Sequence, residues 1–282
     1  MTRLTLGFSP CPNDTFIFHA LVHDLVAAPG LAFDANLYDV ETLNLLAREL
    51  RLDVTKVSFG ALPYLLNDYL LLRSGGALGR GCGPLIVSRE DRATVPLRDA
   101  RIAIPGRFTT ANLLFRLHCP DAPPGIELVY DRIMPAVVAG EFDAGLIIHE
   151  SRFTYPSHGL RKRLDLGEWW EEETGSPIPL GCIVIRRSLA NHADAVEAAI
   201  RASVESALAD PTRSKAYVRA NAQEMSEDIT RRHIDLYVNA FSVDLGPGGE
   251  GAVDQLLDRA RAESLIPPNL MDPSEAFSTR RS

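Results

Sequence analysis

The chain has 282 residues, of which 46% are hydrophobic and 23% charged, a profile typical of a folded globular protein long enough for two ordinary domains. Its formal net charge of −8 argues against a nucleic-acid or anionic-membrane partner. The sequence shows no secretory leader, no apolar run of membrane-spanning length and no C-x-x-C pair among its four cysteines, so we expect a cytoplasmic protein with reduced thiols. The oligomeric state is left open.

The first part of the chain alternates strands and helices. Strands are predicted at 5–8, 32–37 and 54–58, and helices at 14–26 and 42–50. A third helix is predicted to start at Ala61, and 68–72 has the composition of another strand. The glycine-rich segment 75–83 is interpreted as flexible coil near a lobe boundary, and an apolar strand is predicted after it at 84–87.

A second series of strands and helices begins at Arg101. Strands are predicted at 101–105, 126–130, 144–148 and 182–185, and helices at 110–118 and 133–139. The rest is helical, at 189–208, 213–222, 227–241 and 252–263, and 272–282 is expected to fray.

Two strand–helix series followed by a helical return predict a chain that passes twice between two lobes. We therefore expect an α/β protein with a two-lobed, type II periplasmic-binding-protein-like fold and a ligand cleft between the lobes. Lobe I would contain residues 1–87 and 186–282, and lobe II residues 88–185. The strands at 84–87 and 182–185 are the expected crossing points.

The most informative segment reads Ser-Pro-Cys-Pro-Asn-Asp-Thr-Phe, from Ser9 to Phe16. The alternating apolar residues before it indicate a strand, and Pro12 suits the first position of the helix that follows. The turn should present Asn13 and its neighbours at the carboxyl end of a strand, where ligands bind in open α/β sheets. We expect Asn13 to contact a ligand, and leave open whether Cys11 and Asp14 do.

His149 directly follows the predicted strand 144–148. A histidine at a strand tip points into the crevice, and its ordinary pKa of about 6.5 suits proton transfer near neutral pH. The alternative is a surface histidine that only terminates the strand. His19 and His23 lie one helical turn apart, but no third metal ligand is evident, so no metal site is predicted.

Four further residues fit an anionic ligand. Lys56 lies inside a predicted buried strand, where an ammonium group needs a partner such as a substrate carboxylate, unless the strand is an edge strand with a solvated lysine. Ser58 ends the same strand. In the second half, Thr109 and Thr110 begin a helix whose free N–H groups could bind a carboxylate, although one threonine as a simple N-cap is the alternative.

Several of these segments together resemble the 1,4-dihydroxy-6-naphthoate synthase family of the futalosine route to menaquinone. The resemblance rests on Gly-Phe-Ser-Pro-Cys-Pro-Asn-Asp-Thr-Phe at 7–16, Lys-Val-Ser-Phe-Gly-Ala at 56–61, Gly-Arg-Gly-Cys-Gly-Pro at 79–84, Gly-Glu-Phe-Asp-Ala-Gly-Leu-Ile-Ile-His-Glu at 140–150 and Pro-Ile-Pro-Leu-Gly at 177–181. It implies a lyase without a cofactor, acting on a carboxylated small molecule, cyclic dehypoxanthine futalosine. It further implies that His149 is the proton acceptor and that Lys56, Val57, Ser58, Thr109 and Thr110 contact the substrate.

We expect His149 to remove a proton from a sugar hydroxyl and so start a retro-aldol-type cleavage that releases the sugar-derived fragment. Asp14 and Glu150 are candidates for a second acid or base. Two alternatives remain open at this point: a chorismate dehydratase-like paralogue of the same pathway, and a solute-binding protein without catalysis.

Overall fold

The computed structural model describes residues 1–223, 226–267 and 276–277, so most of the segment expected to fray, 272–282, lies outside the described residues. In the described part of the chain the strands are β1 (Thr2–Phe8), β2 (Leu31–Leu37), β3 (Val54–Ser58), β4 (Tyr69–Gly79), β5 (Leu85–Ser88), β6 (Ile102–Ile104), β7 (Ile126–Glu127), β8 (Ala144–Ile147), β9 (Arg161–Asp165) and β10 (Ile178–Arg186).

The helices lie between and after these strands. They are α1 (Pro12–Val22), α2 (Val40–Arg48), α3 (Thr110–His118), α4 (Tyr130–Val138), α5 (Ser151–Thr154), α6 (Leu166–Thr174), α7 (Ala193–Ala209), α8 (Lys215–Asn221), α9 (Glu227–Tyr237), α10 (Ala240–Val243) and α11 (Gly246–Ala262). The predicted helix at Ala61 is only a 3-10 turn, Leu62–Tyr64, since residues 65–68 form a further turn before β4 begins at Tyr69.

The strands form two five-stranded sheets. The first has the order β2-β1-β3-β10-β4, and the second has the order β7-β6-β8-β5-β9. In each sheet four strands run in the same direction and one inner strand runs antiparallel to both of its neighbours: β10 between β3 and β4, and β5 between β8 and β9. The predicted two-lobed α/β architecture is confirmed.

The chain changes sheets twice, between β4 and β5 in residues 80–84, and between α6 and β10 in residues 175–177. Both changes come directly before the strands expected at the crossing points. The predicted lobe I (1–87 and 186–282) includes β5, which belongs to the second sheet. The predicted lobe II (88–185) includes β10, which belongs to the first sheet. As a division into folding units, the boundaries stay a prediction.

The glycine-rich segment was expected to be coil, but residues 75–79 belong to β4. Opposite β10, the strand bulges: between the pairs Leu72–Ile183 and Ala77–Gly181, four residues of β4 face one of β10. Gly75 has a φ of +83°, and a Cβ there would overlap the side chain of Ile183. Glycine is required in this segment because it allows the bulge and the close packing, so the coil interpretation was wrong.

The helical C-terminal return packs mainly on the first sheet. Helix α7 lies against α1 and β4, and α9 contacts the same two elements. Helix α11 contacts β10 and also reaches α3 beside the second sheet. No helix in the described ranges has the length and apolar character needed to cross a membrane. The return therefore places α9 close to the start of α1, at the edge where the two sheets face each other.

Candidate functional site

A cavity of about 90 Å³ lies between the two sheets, at the carboxyl ends of their parallel strands. All seven residues predicted to form the site line it: Asn13, Lys56, Val57, Ser58, Thr109, Thr110 and His149. We call the residues contributed by the first sheet and α1 the first wall: Ser9, Asn13, Asp14, Lys56 and Ser58. We call the residues contributed by the second sheet and α3 the second wall: Thr109, Thr110, Ala111, Ile148 and His149.

The turn from β1 into α1 is held by Asp14. The helix begins at Pro12, which suits a first helical position, and spans Pro12–Val22 rather than the predicted 14–26; Asp14 lies in its first turn, where a negative charge is stabilised by the helix dipole. One oxygen of the Asp14 carboxylate accepts hydrogen bonds from the Ser9 hydroxyl at 2.7 Å and from the Ser9 backbone N–H at 3.2 Å. The carboxylate therefore closes the end of the strand onto the start of the helix.

Lys56 is paired within the first wall. Its Nζ lies 3.1 Å from Asp14 Oδ1, and it donates to the Gly75 carbonyl at 2.7 Å. The side chains of Lys56 and Asp14 are only 5% and 4% exposed. The bulge of β4 supplies the Gly75 carbonyl, so this backbone irregularity helps hold a buried charge. Lys56 reaches the cavity with a single N–H group left, and its predicted contact with substrate stays a prediction.

Asn13 links the first wall to a histidine that the sequence analysis did not place in the site. Its Nδ2 donates to Asp14 Oδ1 at 2.9 Å, and its Oδ1 lies 2.9 Å from His233 Nε2. Asn13 and His233 are 220 residues apart in the chain, so no local pattern could have revealed the pair. Tyr237, one helical turn after His233, also lines the cavity and was also missed.

Ser58 is connected to the second lobe through two side chains of α2. The Ser58 backbone N–H donates to Asn44 Oδ1 at 2.9 Å, and Asn44 Nδ2 donates to the Ser58 hydroxyl and to Glu41. Glu41 Oε1 accepts the backbone N–H of Phe108 at 3.0 Å. Burial raises the pKa of Glu41, against the opposing hydrogen bond from Asn44. Since Phe108 lies just before α3, Glu41 bridges the two lobes beside the cavity.

The two threonines have different tasks. The Thr109 hydroxyl accepts the Asn112 N–H at 3.1 Å and caps α3, so the N-cap alternative is confirmed for this residue. The Thr110 hydroxyl accepts the Gly60 N–H at 3.0 Å and donates to the Leu180 carbonyl at 2.6 Å. Thr110 thus joins α3 to the first sheet. Among the described residues, the backbone N–H groups of Thr110 and Ala111, the first donors of α3, have no hydrogen-bond partner, and both residues line the cavity.

His149 follows β8 by two residues and has a φ of +57°, in the left-handed region that is unusual for residues other than glycine. Its ring packs edge-on against Tyr130, with 5.1 Å between ring centroids. Within the described part of the chain neither ring nitrogen has a hydrogen-bond partner, and Nε2 is buried. Burial lowers the pKa of His149 below 6.5, against the opposing effect of Glu150. The imidazole is therefore neutral at pH 7 and free to accept a proton.

Glu150 and Cys11 lie behind His149. The Glu150 side chain is 7% exposed, and no described residue hydrogen-bonds its Oε2. Burial, together with the Glu150 carboxylate, raises the pKa of the Cys11 thiol well above its ordinary value. Cys11 does not line the cavity, so its position gives no support to a substrate contact.

Comparison of the whole chain with known proteins shows the family to which it belongs. The family model for menaquinone biosynthesis matches residues 4–262. The 1,4-dihydroxy-6-naphthoate synthase of Thermus thermophilus is 52% identical over 270 residues, covering 95% of this chain and 98% of the relative. The enzyme of the same name from Streptomyces coelicolor is 50% identical over 271 residues, covering 94% and 95%.

Solved structures agree on the fold. A crystal structure of an Archaeoglobus fulgidus protein superposes with a TM-score of 0.88 at 34% identity, covering 94% of this chain and 98% of that protein. The alkanesulfonate-binding protein of Xanthomonas axonopodis superposes with a TM-score of 0.73 at 16% identity, covering 96% of each chain, which shows a shared periplasmic-binding-protein fold. The chain is an enzyme that belongs to the 1,4-dihydroxy-6-naphthoate synthase family of menaquinone biosynthesis.

Proposed function

We propose that this enzyme is a lyase that converts cyclic dehypoxanthine futalosine into 1,4-dihydroxy-6-naphthoate and a sugar-derived fragment, with His149 as general base. The observation that carries the proposal is the state of His149: a neutral imidazole at the cavity whose buried Nε2 has no partner among the described residues. A free, neutral imidazole is what proton abstraction near pH 7 needs. A cytoplasmic location is part of the same proposal.

The substrate carboxylate would lie between the two walls. On one side, the Ser58 hydroxyl accepts from Asn44 and keeps its own proton to donate. On the other side, the backbone N–H groups of Thr110 and Ala111 at the start of α3 would donate hydrogen bonds to the carboxylate, as helix N-termini commonly do to anions. Val57, Thr109, Thr110, Lys56 and Asn13 line the same space and would complete the contacts.

In the reaction, His149 takes the proton of a sugar hydroxyl. The hydroxyl oxygen becomes a carbonyl, the adjacent carbon–carbon bond breaks, and its electron pair passes into the ring. A ketone oxygen of the ring takes up a proton and becomes an aromatic hydroxyl, so that overall one proton passes from the sugar hydroxyl, by way of the His149 imidazolium, to the ring. Aromatisation of the naphthalene ring drives the cleavage. The bonds of Thr110 and Glu41 between the lobes hold the two sides of the cavity together, which would limit the access of water during this step.

The test is turnover of cyclic dehypoxanthine futalosine, followed by ultraviolet absorbance of the naphthoate, in the wild type and in His149→Gln. We expect the variant to lose about 10²- to 10⁴-fold in kcat while it still binds substrate and keeps its melting temperature. Because burial lowers the pKa of His149 from its usual 6.5, the decline of kcat/KM of the wild type toward acid pH should have its midpoint below pH 6.5.

Two results would contradict the proposal. Near-wild-type turnover by His149→Gln would remove His149 as the base. Tight binding of the futalosine compound by the wild type without any product would favour a binding protein that uses the same cavity.

A further inference from the structure

His233 is a buried residue of α9 that the proposed chemistry does not use. It is fully buried and does not line the cavity, but its ring lies 4.6 Å from that of Tyr237 and 6.2 Å from that of His149, measured between centroids. The neighbouring Arg232 guanidinium lies over the Phe153 ring at 4.7 Å, which ties α9 to the helix that follows His149. The two imidazoles, one from each lobe, thus meet behind the cavity.

The hydrogen bonds of the first wall determine the tautomer of His233. The Asp14 carboxylate accepts only, so the Asn13 side chain must direct its Nδ2 toward Asp14 and its carbonyl oxygen toward His233. A carbonyl oxygen also accepts only, so His233 Nε2 must carry the proton. His233 Nδ1 is then a bare lone pair.

That lone pair is buried and has no partner among the described residues. Leaving a buried acceptor without a donor costs free energy, so a donor that approaches Nδ1 during the reaction would be bound favourably. The groups facing His233 are Asn13, Tyr237 and His149, and those acting on His149 include Glu150, Asp14, Asp39 and Lys56. Burial and the nearby His149 lower the pKa of His233 well below 6.5, so His233 stays neutral while His149 titrates.

We propose that His233 is a positioning residue whose Nδ1 accepts a hydrogen bond from His149 once His149 has taken a proton, either after a small rotation of the ring or through one bridging water. The inference rests on the proposed role of His149 as the base. The proton stays on His149, and no bond at His233 forms or breaks. Through this contact, the chain from Lys56 through Asp14 and Asn13 to His233 stabilises the imidazolium of the base.

Two substitutions separate this role from a purely structural one. In His233→Asn, the side-chain amide reaches the place of Nδ1, so the acceptor is kept and the bond to Asn13 is lost. In His233→Gln, the amide reaches the place of Nε2, so the bond to Asn13 is kept and the Nδ1 lone pair is lost. The readout is the pKa of His149 from an NMR titration of its ring protons without substrate, with the resonance assigned by its absence in His149→Gln.

We expect His233→Gln to lower the pKa of His149 by about one unit and kcat by about tenfold with KM unchanged, because a charge-assisted hydrogen bond is lost. His233→Asn keeps the acceptor but loses the bond to Asn13, so it should lower both values less than His233→Gln does. The inference is overturned if Asn impairs the enzyme more than Gln does, since that order indicates a structural role through Asn13, or if neither variant moves the pKa of His149.

A measurement on the wild type covers the case in which both variants unfold. The ¹⁵N shifts of His233 should show a protonated Nε2 and a bare Nδ1, and the reverse tautomer would overturn the inference. These NMR results do not depend on substrate. Failure of the wild type to turn over the futalosine compound would therefore remove the proposed function alone, whereas turnover with an unchanged His149 pKa in His233→Gln would remove only the role of His233.

Discussion

The two walls of the cavity differ in how completely their polar groups are bonded. In the first wall, Asp14 accepts from Ser9 and Asn13 and pairs with Lys56, whose ammonium also bonds the Gly75 carbonyl. In the second wall, His149 has no hydrogen-bond partner among the described residues, and the same holds for the backbone N–H groups of Thr110 and Ala111. The comparison teaches that the first wall is a preorganised support, while the second wall supplies the groups that are still able to react or bind.

The largest effect should come from breaking the first wall. Replacing Lys56 with Met leaves the Asp14 charge buried and uncompensated, which costs roughly 3–5 kcal/mol of unfolding free energy. Turnover should fall as well, because Asp14 orients Asn13 and the start of α1. Urea unfolding and the naphthoate assay measure the two effects.

The matched control is the double variant Asp14→Asn with Lys56→Met, which removes both charges and should recover much of the lost stability. If the double variant is no more stable than Lys56→Met alone, the ion pair is not what supports the first wall.

A smaller effect should follow from removing the hydrogen bond between Glu41 and Phe108, which connects the two lobes beside the cavity. Glu41→Ala removes the acceptor of the Phe108 N–H and should cost about 1–3 kcal/mol of unfolding free energy and raise KM, because the lobes close less firmly. Glu41→Gln keeps an acceptor oxygen and should retain most of the affinity. Steady-state kinetics on the two variants measure this difference, and equal KM values would contradict a role for Glu41 in closure.

Glu41 also gives the connection a pH dependence of known sign. Its pKa is raised in the folded protein above 4.5, so the folded state binds a proton more readily than the unfolded state. The stabilisation of the folded state by proton binding at Glu41 is fully present below the unfolded pKa of Glu41 and is lost as the pH rises through its folded pKa. The stability of the wild type relative to Glu41→Gln should therefore increase as the pH is lowered from 7 to 5. A difference that does not change with pH would contradict this assignment.

The smallest effect on activity should come from alkylation of the cysteine thiols. Burial raises the pKa of all four thiols, that of Cys82 to about 12, but Cys119 is only half-buried and so is the most accessible. Iodoacetamide should label Cys119 first and leave activity within about twofold, since a protonated buried thiol reacts slowly. Mass spectrometry identifies the labelled residue, with Cys119→Ser as the control. Rapid labelling of Cys82, which lines the cavity, would show that the cavity opens more readily than the bonds between its walls imply.

Local patterns in the sequence were sufficient for much of the fold. The alternation before Ser9 and the proline at position 12 predicted β1 and the start of α1, and the predicted bounds of β3 and α3 match the structure. The glycine-rich part of β4 was mispredicted because glycine is rare in strands, and only its pairing with β10 makes it one.

The site was predictable where its residues end strands or begin helices. Asn13, Ser58, Thr110 and His149 all lie at such points, and all line the cavity. The pairing of Lys56 with Asp14 and of Asn13 with His233 could not be predicted, because both join residues that only the folded chain brings together. The left-handed backbone of His149 likewise depends on the packing around it.

Pairing Lys56 with Asp14 cancels the charge of the cationic side chain at the described cavity, in a chain whose formal net charge is −8. An anionic ligand is therefore not attracted from a distance, and the overall field of the protein slows its approach. Recognition starts only when the ligand is within reach of the hydroxyl and N–H dipoles. Under the proposed function, a substrate carboxylate would therefore be selected by its fit between the two walls rather than by long-range attraction.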